Sequence, residues 1–408
     1  MKKVVLAFSG GLDTSFSIPY LKEKGYDVVS VTVNTGSFNK EKLKGIGKRA
    51  EKLGALKHYN IEAGQEIFDR IISYLIKLHG LYQNIYPQMC SDRYLIAEKC
   101  VEIARKEKAE AVAHGCTAMG NDQVRFDISF QSLAPDLKII ATIRDLQREV
   151  KGNLREKEAK YLEERGFEVP QKYKKYTINE NIFGRTISGS EIDENKEPKE
   201  EAFVLTKPLN QTPNKPSYLR IAFEKGVSTK LNGKKMSGVG IIKALNEIAG
   251  KHGYGRFIYT GDCMIGIKGR IAFETPGIAT LLVAHKALEE AVLSKEQNQF
   301  KRILGEKWAQ LVFSGFYYDP LRKDIERFID SNQQFVSGEV LLKIFKGSCL
   351  PVEYSSPHLL KEKGIVYAQK ATWSPEEAED FIKLFGLPTK LAFKSFKKKS
   401  NKQKRREK

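Results

Sequence analysis

One stretch, Ala7-Phe8-Ser9-Gly10-Gly11-Leu12-Asp13-Thr14-Ser15, constrains this chain more than any other. Lys3-Val4-Val5-Leu6-Ala7, which leads into it, is a short apolar run of the kind that becomes a buried parallel strand. Residues 16–24 then carry apolar side chains at helical spacing, with Ser and Thr placed to cap the first turn. The glycines thus fall on a strand-to-helix turn, where the backbone can approach a ligand closely. Helix-start N–H groups and the positive end of the helix dipole favour an anion there, phosphate first. A glycine-rich turn that merely caps a helix would explain a bare Ser-Gly-Gly. It does not explain the whole heptad from Ser9 to Ser15 directly after an N-terminal strand. Two commoner phosphate loops are excluded, because G-x-x-x-x-G-K-[ST] occurs nowhere and no G-x-G-x-x-G follows the first strand.

A length of 408 residues suits two domains, and 41% hydrophobic with 29% charged residues describes a globular chain. No apolar run approaches the ~18 residues of a membrane span. The first strand begins at once, so no secretory leader is expected. Cys90, Cys100, Cys116, Cys263 and Cys349 are scattered without C-x-x-C spacing, which points to a reducing cytoplasm and away from disulfides or zinc. Of the net charge of +19, residues 394–408 supply +8 through nine basic residues and one acid. Such low-complexity basic text is expected to be disordered and solubilising. Contact with nucleic acid is a second reading confined to this tail, where Phe396 alone makes no stacking series.

After the first helix the pattern alternates: strand over 27–33, helix over 40–53, strand over 57–61, helix over 65–78. A polar aromatic loop at 82–87, a helix over 95–106 and a strand over 111–113 follow. This β-α-β order predicts a parallel sheet with helices on both faces, and ligands beyond the carboxyl ends of its strands. The ends after Ala7, Val33 and Ala113 should therefore converge. The last runs into residues 114–127, where small residues precede Asn121, Asp122, Gln123 and Arg125. Amides give fixed donors and acceptors and Arg a fork for a carboxylate, as an amino-acid site needs. The plainer alternative is a glycine-rich loop with polar surface residues.

Residues 143–165 read as a connection out of the sheet, and 191–216 as a long exposed loop. Strand-like runs at 219–223, 257–267 and 335–344 alternate with helical ones at 240–250, 276–293 and 320–331, giving a second, α+β domain. The expected division is a nucleotide-binding domain over 1–165, a second domain over 166–373, a helix over 374–393 and the basic tail over 394–408.

Ser9 to Ser15 resembles the pyrophosphate loop of the N-type ATP pyrophosphatases, which cleave ATP to AMP and pyrophosphate while adenylating a carbonyl or carboxyl oxygen. Residues 114–126, 133–138, 179–181, 223–227, 245–253, 266–268 and 381–388 extend the likeness, up to about residue 394. Over that span the chain is similar to the argininosuccinate synthase family, which joins citrulline to aspartate. The resemblance implies an α/β fold: a parallel-sheet nucleotide-binding domain, an α+β synthetase domain and a C-terminal helix that locks a homotetramer. It implies ATP and magnesium, and a cytoplasmic carbon–nitrogen ligase that forms AMP. The catalytic work would fall on Ser9, Asp13, Thr14 and Ser15, with Asp13 beside the magnesium. Ala7, Phe8, Gly10, Gly11, Leu12, Val33 and Gly115 would complete the ATP site. Thr117, Asn121 and Asp122 would hold aspartate; Tyr86, Ser91, Asn121, Arg125, Thr177 and Thr186 would hold citrulline.

The departures concentrate on the citrulline side. Thr177 and Thr186 stand where the family commonly has serines, and Gly261 and Phe273 where it has a glutamate and a tyrosine. Asp92-Arg93-Tyr94 replaces a run of small residues after Ser91. Glu191, Asp262 or Glu274 could stand in for the lost acid. A different ureido acceptor, an RNA-modifying pyrophosphatase and a non-catalytic binding protein remain as alternatives.

Overall fold

The computed structural model describes residues 2–149, 152–169, 175–362 and 364–404. It falls into two compact units, Met1–Leu359 and Leu360–Lys408. The boundary expected at residue 165 falls inside the first, and residues 360–373 of the expected second domain fall in the second.

That unit opens with β1 (Lys2–Ala7), α1 (Leu12–Glu23), β2 (Tyr26–Asn34), α2 (Lys40–Lys52) and β3 (Lys57–Glu62). The helical run expected at 65–78 is broken into α3 (Gly64–Ile67), a π-turn at Phe68–Ile72 and α4 (Ser73–Leu78). Then come α5 (Asp92–Glu107), β4 (Ala111–His114), α6 (Asn121–Leu133), β5 (Lys138–Ala141), α7 (Thr142–Glu149) and α8 (Leu154–Glu164). The strands form one parallel sheet in the order β3-β2-β1-β4-β5. Val4 and Leu6 bury one face against Ile18, Leu21, Ile46 and Ala50, while Val5 and Ala7 bury the other. Both faces are covered, which is why β1 reads as an unbroken apolar run. The chain leaves β1 towards β2 and later returns beside β1 as β4, so a crevice opens between their carboxyl ends.

The rest of the unit holds β6 (Thr177–Asn181), β7 (Gly184–Ser188), β8 (Ser217–Glu224), β9 (Val227–Leu231), β10 (Lys234–Lys235) and α9 (Gly238–Lys251). It ends with β11 (Arg256–Asp262), β12 (Lys268–Glu274), α10 (Pro276–Val292), α11 (Lys295–Phe313), α12 (Pro320–Asn332), β13 (Gly338–Phe345) and β14 (Ser348–Ser355). These strands make two antiparallel sheets, β10-β9-β8-β13-β14 and β11-β12-β7-β6. The single strand expected at 257–267 is instead the hairpin β11–β12, turning at 263–267.

A buried polar chain ties α4 to α10 and α11. His79 Nε2 lies 3.1 Å from His285 Nδ1, His285 Nε2 is 2.8 Å from Gln333 Oε1, and Gln333 Nε2 donates to Glu289 Oε1 at 2.6 Å. Lys301 Nζ pairs with the other Glu289 oxygen. Gln333 Oε1 only accepts, so His285 carries its proton on Nε2 and takes one from His79. His79, His285 and Glu289 present ligand-type atoms within 4.8 Å of one another. With Lys301 and Gln333 already bonded to Glu289, the cluster is complete without an ion.

In the second unit, Ser374 caps α13 (Pro375–Phe385) in a capping box with Glu377. The next helix, α14 (Leu387–Lys404), carries on into the basic tail, where disorder was expected from residue 394; residues 405–408 lie outside the described ones. Lysine is a good helix former, and cations near a helix C-terminus oppose its negative end. Phe381, Ile382, Leu384, Phe385, Leu391, Phe393 and Phe396 are exposed. Among the described residues no helix is long and apolar enough to cross a membrane.

Candidate active site

At the end of β1, Phe8 donates its N–H to Val31 O (2.8 Å) and accepts at its own carbonyl from Thr32 Oγ1 (2.7 Å). The loop is therefore pinned to β2 as it leaves the sheet. Gly10 has φ +75°, and a Cβ there would lie 3.2 Å from Ile46, so only glycine fits both the turn and the approach of α2. Gly11 is the N-cap of α1, and no side chain caps that end. Ser9 gives its N–H to Thr14 Oγ1 (3.3 Å), while its hydroxyl lies 3.2 Å from that oxygen and accepts from Gly11 N–H (3.4 Å). The amides of a first helical turn lack intrahelical acceptors, so with the two hydroxyls they form an anion cradle. Gly115, beyond β4, closes its other side: a Cβ there would be 3.2 Å from Thr14 Cγ2.

This cradle opens into a cavity of about 1000 Å³. Every residue from Ala7 to Thr14 lines it, as do Val33, Gly115, Asp122 and Thr177. Ser15 sits buried behind the loop, where its Oγ accepts from Arg49 Nε at 2.9 Å. Sequence reasoning missed Lys42 and Arg49, which line the anion side. A signal existed: Lys42, Gly45, Ile46 and Arg49 fall at i, i+3, i+4 and i+7, one face of α2.

Glu158, on α8, is 1% exposed beside Asp13, and its Oε2 has no hydrogen-bond partner. Burial first, then the neighbouring Asp13 carboxylate, pushes its pKa up to about 9.

Each of the two sets of residues expected to hold the amino acids sends one member to the cavity lining, Asp122 and Thr177. Asp122 lies between two guanidiniums, 3.0 Å from Arg93 Nε and 2.7 Å from Arg125 Nη1. Burial pushes its pKa up, but Arg93 and Arg125 outweigh that and hold it below the usual carboxylate range. Arg93 also reaches Asp92 (2.7 Å) and Asn179 (3.3 Å), so the departure after Ser91 braces the cavity wall. Thr117 is half-buried in the loop between β4 and α6. Asn121 accepts from Met264 N–H at 3.2 Å, which joins α6 to the β11–β12 turn.

Thr117 and Asn121 stand outside the cavity lining, as do Arg125, Tyr86, Ser91 and Thr186. Arg125 is buried, and its Nε and Nη2 both donate to Phe313 O. The Ser91 hydroxyl donates to Gln88 O (2.7 Å), and Tyr86 is buried among Tyr259, Phe273 and Phe313. Thr186 faces Phe273 across the β7–β12 pairing, while Thr177 takes a hydrogen bond from Arg155 (3.2 Å).

Of the three possible replacement acids, Glu274 is fully buried and accepts from the N–H groups of Val204, Leu205 and Thr206 and from the Thr206 hydroxyl. It holds a loop and has no oxygen left for a ligand. Glu191 accepts from Tyr176 OH (2.5 Å) and Lys199 N–H (3.0 Å). Asp262 accepts from Gln83 Nε2 (2.6 Å) and pairs with Lys268. At Gly261 a Cβ would fall 1.9 Å from the Tyr259 phenol, which donates to Gln83 Oε1 (2.5 Å). A tyrosine thus fills the space that a side chain at 261 would need.

Comparison with known proteins fits this arrangement. The family model described as the arginosuccinate synthase N-terminal HUP domain matches residues 3–168, and the arginosuccinate synthase C-terminal domain matches 176–392. A protein of Xylella fastidiosa named argininosuccinate synthase is 48% identical over 390 residues, covering 96% of this chain and 97% of that relative. One of the same name from Hyperthermus butylicus is 43% identical, covering 96% and 98%. A tRNA methyltransferase subunit structure from Methanocaldococcus jannaschii covers 43% of the chain and 92% of its own at 23% identity and a TM-score of 0.26, too loose a likeness to bear on function.

Proposed function

Because the chain belongs to the argininosuccinate synthase family, we infer that it is an ATP-dependent ligase joining citrulline to aspartate. The observation that carries this reading is the uncapped, glycine-lined start of α1 opening into one large cavity shared with the β4 end. On it, the loop amides and the hydroxyls of Ser9 and Thr14 hold the β- and γ-phosphates, with Lys42 and Arg49 adding charge from α2. Asp13 stands where a magnesium ion riding on the triphosphate would be held, and such an ion would neutralise phosphate charge. The ureido oxygen attacks the α-phosphorus and pyrophosphate leaves from the cradle. The aspartate amine then displaces AMP from the activated carbon. No protein nucleophile is needed; the chain's part is positioning and charge stabilisation. Asp122, kept ionised by Arg93 and Arg125, suits the ammonium of aspartate. Arg125, Tyr86 and Ser91, buried behind the cavity wall, act on the acceptor side by shaping it.

The exposed apolar side chains of α13 and α14 support a role for this segment in a homotetramer, and the unpaired cysteines suit the cytoplasm. An RNA-modifying role gains no support, since the relatives named above are small-molecule ligases. The test uses ATP, aspartate and citrulline carrying ¹⁸O in its ureido group. Argininosuccinate and pyrophosphate should appear with the label in AMP; ADP and phosphate as products would overturn the reading.

A further inference from the structure

A planar guanidinium that bonds to several elements at once ties their positions together, because its donors sit in a fixed fork. Arg93 is placed to do this from the first turn of α5, with its side chain 15% exposed. Its Nε donates to Asp122 Oδ2 on α6 at 3.0 Å, its Nη1 to Asp92 Oδ1 at 2.7 Å and its Nη2 to Asn179 Oδ1 on β6 at 3.3 Å. Buried Asp92 fixes the near end of the fork. Its other oxygen accepts from Asn181 Nδ2 (2.9 Å) and from the hydroxyl of Thr35, just past β2 (3.4 Å). Arg125 takes the second oxygen of Asp122, so Asp92, Arg93, Asp122 and Arg125 alternate in charge and neither acid is left unanswered. Thr35, Asp92, Arg93, Asp122 and Asn179 all line the large cavity. Asn179 and Thr177 are two apart on β6 and face that cavity together. We propose that Arg93 is a positioning residue for both amino-acid substrates, holding Asp122 towards the aspartate ammonium and β6 towards the acceptor, so that filling either side tightens the other. An acceptor resting on Thr177 steadies Asn179 and, through the fork, the direction in which Asp122 points. Aspartate must then favour the acceptor by the same factor.

This rests on reading Asp122 and β6 as the donor and acceptor sides of the ligase, and the test separates the two. Aspartate is titrated calorimetrically into the full-length protein held with α,β-methylene ATP, which cannot be cleaved to AMP, with and without citrulline. In the wild type, citrulline should tighten aspartate at least about fivefold. Arg93→Lys keeps the charge, so the fold should hold, as a thermal melt would show. A lysine answers one carboxylate as a point charge but cannot hold three acceptors in one plane. Aspartate should therefore bind about tenfold more weakly to Arg93→Lys, and citrulline should no longer improve it. Asn179→Ala cuts only the β6 arm. Without citrulline it should bind aspartate within about twofold of the wild type, and the gain from citrulline should be lost. A purely structural role for Arg93 would lower the melting point and leave that gain in place. A wild type in which citrulline does not change aspartate affinity, or an Arg93→Lys protein that keeps the full gain, would overturn the proposal. Aspartate failing to bind the wild type under either condition would overturn the ligase reading, and the proposal with it.

Discussion

The Asp13–Glu158 pair and the cluster around Glu289 are both buried charge, and they differ in how completely that charge is answered. Around Glu289 every donor runs one way: His79 to His285, His285 to Gln333, Gln333 to one carboxylate oxygen, Lys301 to the other. At the loop, Glu158 keeps an oxygen with no partner and faces a second carboxylate. The first arrangement fastens α4 to the helices that follow it; the second leaves a vacancy of charge beside the cavity. A complete polar network rigidifies, whereas an incomplete one stores a demand that a ligand can meet. The site is distinguished from the scaffold by what its charges lack, more than by how deeply they lie.

The widest separation should come from removing Asp13. Asp13→Ala should lower pyrophosphate release at least about a thousandfold and leave the unfolding midpoint unmoved or higher, since Glu158 loses its like-charged neighbour. A variant with near-normal turnover would erase the distinction between the two regions. Lys301→Met should do the reverse. Stranding Glu289 in the interior should cost about 3–5 kcal/mol of stability in denaturant unfolding, with turnover per folded molecule retained. Adding Glu289→Gln should recover most of that loss, and an unmoved midpoint in Lys301→Met would show that the cluster fastens nothing.

The smallest effect is a slope. Burial first, then Lys301, lowers the pKa of His285 to about 3. Its folded value lies below its unfolded value near 6.5, so above that it costs nothing. As pH falls from about 6.5 towards 3, the unfolded chain takes up the proton first. Stability should drop by about 1.4 kcal/mol per pH unit from this residue. His79, also lowered by burial, adds to the same side. His285→Gln should flatten that acid limb; an unchanged limb would place the acid sensitivity elsewhere.

The loop was legible because Gly10, Gly11 and the hydroxyls are neighbours in the chain, and β1, β2 and β4 because strands buried on both faces read as apolar runs. β6 was not, since Thr177-Ile178-Asn179-Glu180-Asn181 is short and polar. Glu158 was hidden for a different reason. It stands in charged helical text, Leu154–Glu164, where six of eleven residues are Glu, Lys or Arg apart from it, and only packing shows which one turns inward. Lys301 and Glu289 are twelve positions apart on different helices, so no helical spacing announces them. The hairpin β11–β12 was read as one strand because the turn at 263–267, Cys-Met-Ile-Gly-Ile, is mostly apolar and lacks the usual polar punctuation.

The ring of Tyr259 lies 1.9 Å from where any side chain at position 261 would begin. The two positions are therefore coupled, each limiting what the other can hold. An acid at 261 requires the Tyr259 ring to move aside. A smaller residue at 259 opens that space and gives up the bond to Gln83. Gly261→Glu alone should meet the tyrosine ring, while the same change beside Tyr259→Ala meets open space.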